Sequence, residues 1–161
     1  EFVMADQPDD LVPFIHDFDC EAATVVDDEL WIFSKNWRDF ASRVYRLPLS
    51  ELVLNANTNI ALQPKQTLPV SGLITAADFD PQFQRLVLLG YDNNLLAKQA
   101  FVWFIPVLSG QLNWPMAQRF DLDKHGQWES IIWRDSSQLL ITAEATFSHD
   151  ARVAVVKVPI L

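Results

Sequence analysis

The side chains able to do chemistry gather in three stretches of the chain. The first holds His16, Asp17, Asp19 and Glu21, then Lys35, Asn36 and Trp37; the second holds Thr75, Tyr91, Asp92 and Asn93; the third holds His125, Gln127, Glu129 and Glu144. If the carboxylates of Asp17, Asp19, Glu21, Glu129 and Glu144 converge, they repel one another unless a cation or a hydrogen-bonding ligand sits among them. Their donors are hard oxygens and soft ligands are nearly absent, so the expected cation is Ca2+. Lys35, Asn36, Trp37, Tyr91, Asp92 and Gln127 would line the ligand face beside it. An exposed Trp next to carboxylates and amides is suited to stacking on a sugar ring. The opposing account is structural: Asp17 and Asp19 decorate a loop, and Glu21 and Glu129 accept hydrogen bonds from backbone amides.

Other motifs carry less. Asp121-Leu122-Asp123-Lys124-His125-Gly126 imitates the start of an EF-hand loop, but Ile132 stands where the bidentate Glu is required, so a solvated turn is expected. His16 and His125 have no Cys partner and no HExxH spacing, which leaves little case for zinc. Ser148-His149-Asp150 are adjacent in sequence, whereas triad members must converge in space. Neither a GxSxG elbow nor a phosphate-binding glycine loop is present, and the chain has only four Gly. Cys20, the single cysteine, reads as a small buried filler rather than a nucleophile, and no internal disulfide is possible.

What positions these residues is a threefold repeat. Leu30 to Ser34, Leu86 to Gly90 and Leu139 to Ala143 recur at roughly 55-residue spacing, in the range of blades and solenoid units. Each follows an apolar segment (Ala22 to Val26, Ile74 to Phe79, Glu129 to Trp133) across a turn rich in Asp, Pro or Ser, which is hairpin chemistry. A third strand ends at Pro48, Pro106 or Pro159, and proline belongs at strand ends and sheet edges. Fourth strands are expected around Ile60 to Gln63 and Gln118 to Leu122. The fold class is all-β: antiparallel four-stranded blades of a β-propeller. Residues before each first strand and after each second strand share one face, the predicted functional face. There Glu21 and Glu129 occupy equivalent positions, with Ala76 between them in the second repeat. Trp31, Trp103, Trp128 and Trp133 fall within strands as packing, while Trp37 and Trp114 are placed to be exposed.

The divisions are residues 1–10 as an outer strand of a preceding blade, blades at 14–70 and 71–122, and a last blade at 123–161 lacking its outer strand. About three blades cannot close a ring of the usual 4–8. The expected partner is therefore a missing N-terminal half or a second copy in a homodimer whose N-terminal strand completes the neighbour's last blade. Twelve basic against twenty-one acidic residues, net charge -9, with no basic cluster, argue against nucleic acid. No apolar run approaches the roughly 20 residues of a membrane span.

His16-Asp17-Phe18-Asp19-Cys20-Glu21-Ala22, Phe33-Ser34-Lys35-Asn36-Trp37, Leu89-Gly90-Tyr91 and Gln127-Trp128-Glu129-Ser130-Ile131 resemble the blade signatures of bacterial propellers grouped with esterase-like, phytase-like and SdiA-regulated proteins. The resemblance implies a six-bladed ring, of which this chain is the C-terminal half, a central divalent cation of the calcium type, and a periplasmic or cell-surface location. Two function classes follow. A binding or scaffold module would present the acidic, Trp-bearing face to a small molecule, a glycan or a protein. A calcium-dependent hydrolase of the phosphoesterase or lactonase kind would use the same carboxylates to hold a catalytic metal.

Overall fold

The computed structural model describes residues 2–54, 59–93, 98–145 and 150–158. The chain is all-β with antiparallel sheets, and it parts into two compact units, Glu1–Ile74 and Thr75–Leu161. No helix among the described residues is long and apolar enough to cross a membrane.

The first unit contains β1 (Phe2–Met4), β2 (Asp19–Val26), β3 (Glu29–Lys35), β4 (Ser42–Pro48), the short helix α1 (Leu49–Leu54), β5 (Ile60–Leu62) and β6 (Gln66–Leu68). Strands β2, β3, β4 and β6 form an antiparallel meander in that order. The β2–β3 hairpin turns on Asp27, whose φ of 52° is in the left-handed region that Asp tolerates better than most residues. Strand β3 is apolar along Leu30 to Phe33, and its Trp31, Ile32 and Phe33 are all buried, as expected of a strand covered on both faces. β1 and β5 pair in parallel, Phe2 opposite Ile60 and Met4 opposite Leu62. Met4 and Leu62 pack with Ile32, Tyr45 and Leu47 of the meander.

In the second unit β7 (Leu73–Asp80, beginning at the end of the first unit), β8 (Arg85–Tyr91) and β9 (Gln99–Leu108) run consecutively. Next come the short β10 (Gln111–Leu112), a 3-10 turn at Trp114–Met116, and β11 (Gln118–His125), which pairs with β9 on the side away from β8. Ser109 and Gly110, with φ of 50° and 68°, form a two-residue loop from β9 to β10, where a primed turn requires positive φ. β12 (Trp128–Asp135), β13 (Gln138–Ala143) and β14 (Arg152–Lys157) make a three-stranded sheet.

One apolar cluster joins these two sheets: Val87, Leu89, Val102 and Phe104 from the first meet Trp128, Ile131, Leu139 and Ile141 from the second. Each such side chain contributes about 1.5–3 kcal/mol through burial. Three hydrogen bonds fasten the sheets. Thr75 Oγ1 donates to the Trp128 carbonyl at 2.5 Å, the Trp133 amide donates to Asp78 Oδ2 at 2.7 Å, and Arg85 Nη2 donates to the Ser136 carbonyl at 2.6 Å.

Four placements differ from the sequence reading. The fourth strand of the first meander is β6, not Ile60 to Gln63; residues 60–62 pair with β1 instead, because Leu62 and Met4 together cover the apolar face at Ile32, Tyr45 and Leu47. Phe2–Met4 thus finds its strand partner within this chain rather than in a preceding sheet. Asp121 to His125 lie in β11, not in a turn, with Asp121 accepting from Arg119 Nε at 2.9 Å. Cys20 is exposed rather than a buried filler, since it and Glu21 flank an irregularity in the β2–β3 register.

Candidate functional site

Alternation fails at one point in β2, and that point creates the site of the first unit. Cys20 pairs with Ser34 and Ala22 with Phe33, so Glu21 is the extra residue of a β-bulge. A bulge redirects a side chain that regular alternation would have placed elsewhere. Glu21 Oε2 accepts from Lys35 Nζ at 2.6 Å, with the Lys35 side chain 4% exposed and that of Glu21 35% exposed. The same ammonium lies 5.0 Å from the centre of the Trp37 ring, within cation–π range. β12 repeats the device: Trp128 pairs with Ala143 and Ser130 with Thr142, leaving Glu129 as the bulge residue. The equivalence of Glu21 and Glu129 is therefore expressed in the backbone.

Around Trp37 the loop entering β2 is bound to the segment leaving β3. Trp37 Nε1 donates to Asp19 Oδ2 at 2.6 Å, and the Trp37 amide donates to the His16 carbonyl at 3.1 Å. Asp17, 8% exposed, accepts from the Arg38 amide at 2.8 Å. His16 Nδ1 accepts from the Phe18 amide, and its Nε2 stands 3.5 Å from Asp19. Asn36, fully buried, contacts Ser34 and donates to Asp39 at 2.8 Å. Arg43 binds this arrangement from below: it donates to the Asp17 carbonyl and lies 3.6–3.9 Å from the carboxylates of Asp6, Asp17 and Asp39.

Phe14 was not anticipated. Its ring meets Trp37 edge-on at 5.4 Å, and it is 72% exposed, on a backbone with φ of 61°. Val12 and Ile15 beside it are also exposed, and the Ile15 amide donates to the Val12 carbonyl to close the turn. The signal was present as an apolar pair, Phe14-Ile15, ahead of a polar strand start, with none of the periodicity that marks apolar residues as core.

In the second unit Tyr91 is buried, its hydroxyl accepting from Gln127 Nε2 at 3.3 Å and its ring facing Lys98 Nζ at 4.7 Å. Asp92 exchanges bonds with Gln99: its carboxylate accepts from the Gln99 amide and its own amide donates to the Gln99 carbonyl. Thr75 is one of the sheet-fastening groups. Asn93, His125 and Glu144 are exposed, and Glu129 is half-buried. His149 lies outside the described residues. Of the tryptophans, Trp31 and Trp128 are buried, while Trp114 packs on Trp103 with ring centres 4.5 Å apart.

Glu21 belongs to the first unit and Glu129 to the second. Among the described residues no group of three or more His, Cys, Asp and Glu side chains is arranged to hold a metal ion. Desolvation, with the Glu21 carboxylate adding to it, pushes the Cys20 thiol above its ordinary pKa, which lowers its thiolate fraction and its nucleophilicity.

Two cavities open at the opposite, hairpin-turn end of the sheets. One of about 330 Å³ in the first unit is bordered by Glu29, Arg46, Glu51 and Lys65, and one of about 300 Å³ in the second by Asp78, Trp133 and Arg134. The sequence reading had assigned that end to solvated turns, because no single segment shows that the end of β4 meets β5. No protein-family model matches the chain, and comparison with curated proteins and with solved structures gives no significant match.

Proposed function

We propose that the chain is a binding module of the β-propeller kind, its sheets acting as blades, with a contact surface built on Phe14, Trp37 and the adjoining carboxylates. The observation that carries the reading is Phe14: a large apolar side chain 72% exposed on a loop whose neighbours are fixed by Asp17, Asp19 and His16. Apolar area presented on an ordered loop binds without a large ordering cost. Val12 and Ile15 extend the apolar ridge, and Asp19 and Glu21 border it with negative charge. The complementary ligand is a protein segment with an apolar side chain flanked by basic ones.

Existing bonds weigh against the other assignments of these residues. Lys35 is engaged with Glu21 at 2.6 Å, so it is poorly placed to polarise a leaving group in a hydrolase. A Ca2+ on Asp17, Asp19 and Glu21 would have to displace the Arg38 amide, the Trp37 indole and the Lys35 ammonium. The test is to screen the protein against a peptide array, a glycan array, and a panel of phosphoesters and lactones with Ca2+. Saturable binding of basic-apolar peptides, weakened by about 1–3 kcal/mol in Phe14→Ala, supports the proposal. Metal-dependent turnover, or binding indifferent to Phe14→Ala, overturns it. Saturable binding of glycans alone would do the same for the ligand class.

A further inference from the structure

The cavity at the hairpin-turn end of the first unit has a charge pattern that no solvated turn requires. Its wall is made by the end of β4 (Arg46 to Pro48), α1 (Glu51) and the segment from Ile60 to Lys65. Arg46 is the built element. Its guanidinium lies over the Trp31 ring at 3.9 Å, and its side chain is only 9% exposed. Glu29, the nearest carboxylate given to it, stands 3.9 Å from Nη1 and accepts the Trp31 indole N–H at 3.1 Å. The carboxylate therefore orients the indole, and the indole in turn holds the guanidinium flat. Desolvation lowers the Arg46 pKa, so a further anion at its fork would stabilise the charge it carries.

Lys65 supplies a second cation, its backbone fixed where the amide donates to the Val44 carbonyl at 2.8 Å. Glu51 supplies a second anion from α1, and Ile60, Leu47 and Leu62 supply an apolar floor. Two cations, two anions and an apolar surface in a space of about 330 Å³ match a small molecule that carries both charges and an apolar body. Ligand sites usually span about 300–1,000 Å³, which puts this one at the amino-acid-sized end. It lies at the Glu29 end of β3, whereas Lys35 and Trp37 lie at the other end, roughly 20 Å away at strand rise.

We propose that this cavity binds a free apolar α-amino acid, its carboxylate on Arg46 and Lys65, its ammonium between Glu51 and Glu29, and its side chain against Ile60 and Leu62. An arginine forked onto a carboxylate gives direction as well as charge, and the facing Glu pair rejects ligands that are only anionic. This site is independent of the Phe14–Trp37 surface.

Titration calorimetry of the whole chain with L-leucine, N-acetyl-L-leucine and L-leucinamide tests it. L-leucine is expected to bind saturably and to raise the melting temperature by mass action. Each blocked analogue should bind at least about tenfold more weakly, since each loses one charged contact. Glu51→Gln, at an exposed position, should weaken L-leucine about fivefold or more without moving the melting temperature of the free protein. Arg46→Gln should abolish binding. If Arg46→Gln unfolds, the analogue series on the unaltered chain still decides. Absence of saturable heat with leucine, valine and phenylalanine up to roughly 10 mM overturns the site. N-acetyl-L-leucine binding as tightly as leucine overturns the zwitterion assignment.

Discussion

The pairing of Lys35 with Glu21 predicts a lopsided response to removing either partner. Lys35 is the buried member, 4% exposed, and Glu21 the half-exposed one at 35%. Glu21→Ala leaves an ammonium in a site that water barely reaches. Breaking a fully buried pair in this way costs about 3–5 kcal/mol. Because Glu21 is more than a third exposed, its attraction to Lys35 is screened, and a discounted value of about 2 kcal/mol is the better expectation. Lys35→Met is gentler: the alkyl chain keeps most of its packing, and the freed Glu21 carboxylate is hydrated from its exposed side. What remains to be lost is the contact with the Trp37 ring at 5.0 Å, worth about 0.5–1 kcal/mol.

The ratio is the sharper quantity, since both variants share one reference state. Urea unfolding followed by tryptophan fluorescence should place Glu21→Ala below Lys35→Met by about 1 kcal/mol, with unchanged slopes in denaturant. For a unit of this size that separation corresponds to about 4–8 °C in melting temperature. If Lys35→Met is as damaging as Glu21→Ala, the ammonium is not held chiefly by Glu21 and the reasoning fails. Glu21→Gln should fall between the two, because its amide oxygen can still accept a bond from Nζ.

Two further outcomes follow from other contacts. Asp78→Ala removes the acceptor of the Trp133 amide between the two sheets of the second unit and should cost about 1–3 kcal/mol; a loss below about 0.5 kcal/mol in chemical denaturation would show that water or a backbone shift replaces the bond. Asp135 is held below the ordinary carboxyl value of 3.8, first by the Ser137 hydroxyl and then by the Ser137 amide. A carboxyl with a depressed folded pKa favours its turn above the ordinary carboxylate range and releases it as pH falls through the folded value. In Ser137→Ala the carboxyl should titrate closer to 3.8 by NMR, and an unchanged midpoint would assign the depression elsewhere.

The antiparallel hairpins were legible because apolar runs broken by Asp, Pro and Ser carry their own turn chemistry, as in Ala22 to Val26 and Leu30 to Ser34. Ile60 to Leu62 was misassigned because a three-residue apolar run fits a blade edge as well as a parallel partner for Phe2–Met4. Only the position of Tyr45 and Leu47 decides between them, and that is a tertiary fact. The Asp19–Trp37 and Lys35–Glu21 contacts join positions predicted to share a face, while their hydrogen bonds depend on a bulge that period-two reading cannot register. Arg46 escaped notice altogether. In sequence it is one cation in a strand, and its interest comes from the indole beneath it and from Glu51 and Lys65, brought alongside by a helix and a turn.

The two bulges show how one backbone device serves different ends. In the first unit the bulge residue Glu21 is followed across the hairpin by Ser34 and Lys35, and its charge is met by the ammonium at 2.6 Å. In the second, Glu129 has the same neighbours by register, Ala143 and then Glu144, so the position that carries a cation in one sheet carries a carboxylate in the other. The bulge itself therefore does not need the ion pair. It exists in both sheets because an extra residue at the start of the first strand strengthens twist and turns one side chain outward. The ion pair is an addition peculiar to the first unit. It lies beside Trp37, whose other neighbour is the exposed Phe14, so the sheet with the compensated bulge is also the one that presents an ordered apolar ridge. A surface meant for contact has to keep its shape while empty, and neutralising the carboxylate next to its central ring is one way the sequence secures that shape.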